Sequence, residues 1–166
     1  RHSDMAVFSF RPVKTIAMGE GGAVTTRAPE LAEKLARFRS HGMVREPARF
    51  GDRNLGFDAD GSPNPWYYEM PEPGYNYRAS DVHCALGTSQ LGKLDRFVAR
   101  RAAIARLYDA KLAKLAPRVM PLRRLPGCVP AWHLYVALID FKGLGMTRGA
   151  MMRALHAHGV GTQVHY

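Results

Sequence analysis

Between residues 7 and 26 the chain sets one lysine, Lys14, in a turn bounded by two apolar segments. Residues 7–10 read as the end of a buried strand and 23–26 as the start of another, with Pro12, Gly19, Gly21 and Gly22 bending the chain between them. A lysine at such a strand end has its stem packed and its amine held near a fixed point. Partly dry surroundings disfavour the charged form, which draws an amine's pKa down from about 10.4 toward neutrality. Lysine then becomes a nucleophile toward carbonyls and forms Schiff bases. A surface lysine in a hairpin turn has the same local sequence, so the pattern alone leaves both readings open.

The run Ser9-Phe10-Arg11-Pro12-Val13-Lys14, followed by Gly19-Glu20-Gly21-Gly22, resembles the cofactor-lysine motif of the nucleotide-sugar aminotransferases. These form the DegT/DnrJ/EryC1/StrS family, of the aspartate aminotransferase fold (fold type I). Further segments extend the resemblance in the family's order. They are Gly74-Tyr75-Asn76-Tyr77-Arg78-Ala79-Ser80-Asp81, the stretch from Ala85 to Asp95, Trp132-His133-Leu134-Tyr135, and Gly161-Thr162-Gln163-Val164-His165-Tyr166. Many members carry His or Tyr where this chain has Arg11, a departure that leaves the lysine intact.

The resemblance implies an α/β fold and a set of roles. Lys14 would carry pyridoxal 5'-phosphate covalently and act as the proton-transfer group, and Ser9 would bind the cofactor phosphate. Asn76 would reach the cofactor phosphate of a neighbouring subunit, so that sites are shared in a homodimer. Arg78 would lie near the same interface, and His165 and Tyr166 would approach the sugar. The implied reaction moves an amino group, from glutamate, to the 4-keto carbon of a UDP-linked deoxysugar. Some relatives lack the lysine and act as pyridoxamine-dependent sugar dehydratases; Lys14 argues against that reading. By the same resemblance the intact protein is more than twice as long, and the ends of this chain read as cut. It would hold the lysine half of the site, without the aspartate that pairs with the pyridine nitrogen, the ring that stacks on it, and the glycine-rich phosphate contacts. Residues 1–91 would be the end of the large domain, and 92–166 a long helix with a small α/β domain. Such a piece could be inert alone.

Charge offers a reading from another class. Lys and Arg total 24 against 14 acidic residues, a net charge of +10, which suits nucleic acid, anionic membranes or small anionic ligands. Much of the excess falls on one predicted helix, through Arg96, Arg100, Arg101, Arg106, Lys111 and Lys114. Leu91, Leu94, Val98, Ala102, Ala105, Tyr108 and Leu112 recur there at helical spacing. A basic outer face on an amphipathic helix is usually a solvated face. No nucleic-acid motif accompanies it, and the aromatics do not interleave with the arginines as a stacking platform requires. A basic surface also suits a UDP-sugar and a phosphorylated cofactor.

Other expectations follow along the chain. Pro29 opens a helix whose face carries Leu31, Leu35 and Phe38, and Gly42 closes it. Residues 43–75 hold five prolines and no sustained periodicity, the mark of a functional or interface loop. Within it Trp66, Tyr67 and Tyr68 form either a small satellite core or a substrate or subunit contact. Ser80 or Asp81 caps the long helix, which bends near Gly92. Residues 132–139 and 160–166 read as strands, and Thr147 caps a helix ending before Gly159. Cys84 reads as a small buried hydrophobe in a helix, and with Cys128 it gives neither a metal-ligand spacing nor a disulfide framework. His133, His156, His158 and His165 lack carboxylate or cysteine partners at ligand spacing, so no zinc site is expected. No apolar stretch approaches the ~18 residues of a membrane span, and a reducing cytoplasm fits best.

Overall fold

The computed structural model describes residues 3–164 of the 166-residue chain. The chain falls into two compact units, divided in sequence between Gly92 and Lys93.

The first unit opens with an antiparallel hairpin of β1 (Met5–Ser9) and β2 (Gly22–Thr26), in the register Val7↔Val24, Phe8↔Ala23, Ser9↔Gly22. The register depends on Gly22, since a Cβ there would lie 2.3 Å from the Phe8 carbonyl oxygen. These strands are not buried as expected: Val7 is 80% exposed and Phe8 and Val24 are about half exposed. A hairpin of two strands has two open faces and cannot cover both.

Helix α1 (Pro29–Arg39) begins with proline at its first turn, carries Glu30 there, and ends with Arg37 and Arg39, charges that suit its dipole. Gly42, at φ +75°, turns the chain out and donates its N–H to the Arg37 carbonyl at 2.9 Å. The 43–75 segment is ordered around Phe50, which packs edge-on against Tyr67 (4.8 Å) and Phe57 (5.9 Å). It contains a 3₁₀ turn at Pro47–Arg49 and a single helical turn, α2 (Arg53–Gly56). Asp52 caps α2 by accepting from the amides of Asn54 and Leu55. Helix α3 (Asp81–Leu91) starts at Ser80, whose Oγ accepts the His83 amide at 3.3 Å.

The single bent helix expected here is two. Helix α3 stops at Leu91, and α4 (Leu94–Leu112) begins the second unit. Cys84 is exposed on α3, against expectation. It lies on a helix with no buried residue, so small size and apolar character did not draw it inward.

In the second unit α4 buries Ala105 and half-buries Leu94, Val98, Ala102 and Leu112. Strand β3 (Val119–Pro121) pairs antiparallel with β4 (Ala137–Ile139), and α5 (Arg148–Ala157) follows with Thr147 as its cap. The expected strand over 132–139 is therefore only its last three residues. Arg101 leaves the basic face of α4 and donates to the carbonyls of Trp132 (3.2 Å) and His133 (3.4 Å), taking acceptors a strand partner would need. Asp109 accepts from Arg124 and from the Tyr135 hydroxyl, and Arg124 lies over the Trp132 ring at 4.6 Å. Desolvation, then the Asp109 carboxylate, push the Tyr135 phenol up to about 12. Residues 160–164 are not strand; Val160 instead caps α5 by donating to Leu155 O (2.9 Å). Among the described residues no helix is long and apolar enough to cross a membrane.

Candidate active site

Lys14 sits in the connection of the β1–β2 hairpin. Its amide donates to the Arg11 carbonyl at 2.9 Å, a tight turn with Pro12 at the position where its fixed φ is favoured. Two more backbone bonds close the loop at its base, Phe10 N–H to Gly21 O (3.0 Å) and Met18 N–H to Phe10 O (2.9 Å). Ile16 and Met18 turn inward and are buried, at 5% exposure each. The loop is thus anchored by apolar side chains on its returning arm while Lys14 remains half-buried. Across the loop, Arg11 Nε meets Glu20 Oε2 at 3.2 Å. The family departure at Arg11 therefore has a partner within the motif, which spacing alone did not reveal.

Ser9 ends β1 opposite Gly22, exposed. Asn76 and Arg78 come from a different part of the same unit. The segment through Asn76 is tied to the end of α1 by Tyr75 N–H to Phe38 O (2.7 Å), Tyr77 N–H to Arg39 O (3.0 Å) and His41 N–H to Tyr75 O (2.9 Å). Gly42 and Gly74 permit that approach, since a Cβ on Gly42 would stand 1.9 Å from Glu72 O. Arg37 pairs with Glu72 beside it. Tyr75 and Tyr77 stack at 4.7 Å, and Asn76 between them is exposed, as is Arg78. Among the described residues no hydrogen bond or ion pair joins Ser9 or Lys14 to Asn76 or Arg78. His165 and Tyr166 lie outside the described residues.

The donor chemistry of these side chains is open. The Lys14 amine, Ser9 hydroxyl, Asn76 carboxamide and Arg78 guanidinium carry no side-chain partner among the described residues. A primary amine fits an aldehyde, and a hydroxyl and an amide N–H fit phosphate oxygens. The set therefore fits the aldehyde and phosphate ends of pyridoxal phosphate.

The aromatic cluster of the 43–75 loop divides. Tyr67 joins the small core, donating its hydroxyl to Glu69 Oε1 at 2.8 Å; burial first, then Glu69, push that phenol up to about 12. Glu69 also accepts the amides of Gly51 and Asp52, which hold its carboxyl below the usual range. Trp66 and Tyr68 remain exposed, with Arg45 5.6 Å over the Tyr68 ring, beside a groove of about 360 Å³.

The sequence profile of the DegT/DnrJ/EryC1/StrS aminotransferase family matches residues 1–166. The spore coat polysaccharide biosynthesis protein SpsC of Bacillus subtilis is 37% identical over 98% of this chain and 40% of its own length. The chain resembles the solved Helicobacter pylori PseC, an aminotransferase involved in the biosynthesis of pseudoaminic acid. That match has a TM-score of 0.77 and 32% identity, over 99% of this chain and 39% of PseC. Spr1654 of Streptococcus pneumoniae, solved in a PLP form, matches with a TM-score of 0.75 and 25% identity, over 99% of this chain and 38% of that one. The chain thus spans about two fifths of the length of these relatives.

Proposed function

The chain belongs to the DegT/DnrJ/EryC1/StrS aminotransferase family, and we propose that the intact protein is a pyridoxal-phosphate-dependent aminotransferase acting on a nucleotide-linked sugar. The observation that carries this reading is Lys14: a half-buried lysine, without a side-chain partner among the described residues, on a loop pinned at both arms. The PLP form of Spr1654 and the aminotransferase PseC support the cofactor and the reaction. Lys14 would hold the cofactor through its Nζ, Ser9 would bind its phosphate, and Asn76 would bind the phosphate held by a neighbouring subunit. When bound, pyridoxal phosphate supplies an electron sink for charge developing at the reacting carbon. Lys14 Nζ would take the proton from Cα of the amino donor as a general base, and would deliver a proton to C4 of the sugar in the return half.

The resemblance to PseC, an aminotransferase involved in the biosynthesis of pseudoaminic acid, favours a sugar acceptor on such a route. The family resemblance of the lysine motif implies that this acceptor is a UDP-linked 4-keto deoxysugar and the donor glutamate. Arg78, His165 and Tyr166 would face that sugar, and a homodimer would bring Asn76 to the second site. Two exposed free thiols, Cys84 and Cys128, suit a cytoplasmic enzyme. The division near Gly92 is read as the passage from the large domain to the small one. Activity with UDP-4-keto sugar and glutamate, assayed on the intact protein and its Lys14→Ala variant, tests the reading. Transfer that survives without Lys14 contradicts it.

A further inference from the structure

The returning arm of the lysine loop rests on α3 through two notches. Met18 fills the space above Gly87, where a Cβ would stand 3.2 Å from Met18 Cβ. One residue on, Gly19 adopts φ +84°, and a Cβ there would stand 3.0 Å from both Cδ2 and Nε2 of His83. The imidazole, half-buried, makes no side-chain hydrogen bond among the described residues, so its contact with Gly19 is one of packing. Gly19 lies between the two backbone bonds that close the loop, Met18 to Phe10 and Phe10 to Gly21. The His83 ring is thus seated against the stretch of the arm between those two bonds.

We propose that His83 is a positioning residue for the lysine loop, its ring occupying the notch at Gly19 and holding the arm that fixes Lys14. The proposal rests on the reading of Lys14 as the cofactor lysine. A hinged arm would let the Lys14 turn sample other conformations, and a ligand that needs one conformation then binds more weakly, by the fraction of time that conformation is lost.

The test uses the intact protein and two independent readouts, amide hydrogen exchange and spectrophotometric titration with pyridoxal phosphate. In His83→Ala the Phe10 and Met18 amides should exchange about tenfold faster, while Val44 and Tyr75 amides keep their wild-type protection. The cofactor dissociation constant should rise about tenfold, and His83→Phe, which restores a ring, should bring both values back. Gly19→Ala should also loosen the loop, and adding His83→Ala should relieve part of that damage because the ring is what the new Cβ strikes. Unchanged exchange at Phe10 and Met18 in His83→Ala overturns the proposal, as does strict additivity of the two substitutions. Failure of the wild-type protein to take up pyridoxal phosphate overturns the proposed function instead, and the exchange data still decide the role of His83.

Discussion

Replacing Gly42 by alanine strikes the device that presents Asn76. Gly42 holds φ +75°, and alanine in the left-handed region costs about 1–2 kcal/mol. The new Cβ would stand 1.9 Å from Glu72 O and 3.1 Å from Gly74 N, both backbone atoms that no rotamer change can move. The 72–77 segment must shift, which breaks the three backbone hydrogen bonds joining it to residues 38–41, each contributing about 0.5–1.5 kcal/mol. The combined loss is roughly 3–6 kcal/mol. Gly61 supplies the control: its φ is +83°, yet a Cβ there meets nothing within 4 Å. Gly61→Ala should therefore lose only the backbone share, about 1–2 kcal/mol. Urea unfolding of the two variants, followed by circular dichroism, measures the difference. Equal destabilisation would show that the 72–77 segment is not locked against α1, and would remove the structural basis for the placement of Asn76.

Ser9→Ala should raise the cofactor dissociation constant about ten- to a hundredfold and leave turnover intact at saturating pyridoxal phosphate, as expected for one hydrogen bond to a charged phosphate; an unchanged constant would show that Ser9 only packs. Mixing Lys14→Ala chains with Asn76→Trp chains, each inactive alone, should restore partial activity, because one site of the heterodimer receives a good lysine and a good asparagine. No rescue at any mixing ratio would mean that each site is built from one chain. Glu69 is depressed below its unfolded value near 4.3, so its contribution is full above that pH and lost as pH falls through the folded pKa. Melting temperature should accordingly drop below about pH 4 in the wild type, and Glu69→Gln should flatten that drop; identical pH profiles would contradict the role given to its hydrogen bonds with Gly51 and Asp52.

Where local chemistry decides structure, the sequence was readable. Proline at the first turn of α1, Gly42 past its end, Ser80 and Thr147 as caps and Gly159 after α5 each act through their own backbone. The lysine turn was readable for the same reason, through Pro12 and the glycines. What failed depended on partners distant in sequence. Burial was assigned to residues 7–10 and to Cys84 from their apolar character, but burial requires a covering surface, and none lies over Val7 here. Residues 132–136 have strand-like composition, yet Arg101, thirty-one residues away from Trp132, takes the carbonyls of Trp132 and His133. The same arginine looked like one more charge on a solvated face. At the candidate site, turn chemistry pointed to Lys14, while Ser9 and Asn76 followed from the family resemblance of their motifs. The Arg11–Glu20 pair and the seat of His83 on Gly19 needed the folded loop to be seen.

Lys14 as the cofactor lysine can be tested by borohydride reduction of the intact protein loaded with pyridoxal phosphate, followed by peptide mass spectrometry. The expected result is a single pyridoxyl adduct on Lys14, absent from the Lys14→Ala variant. An adduct confined to another lysine, or no adduct from protein saturated with cofactor, would contradict it.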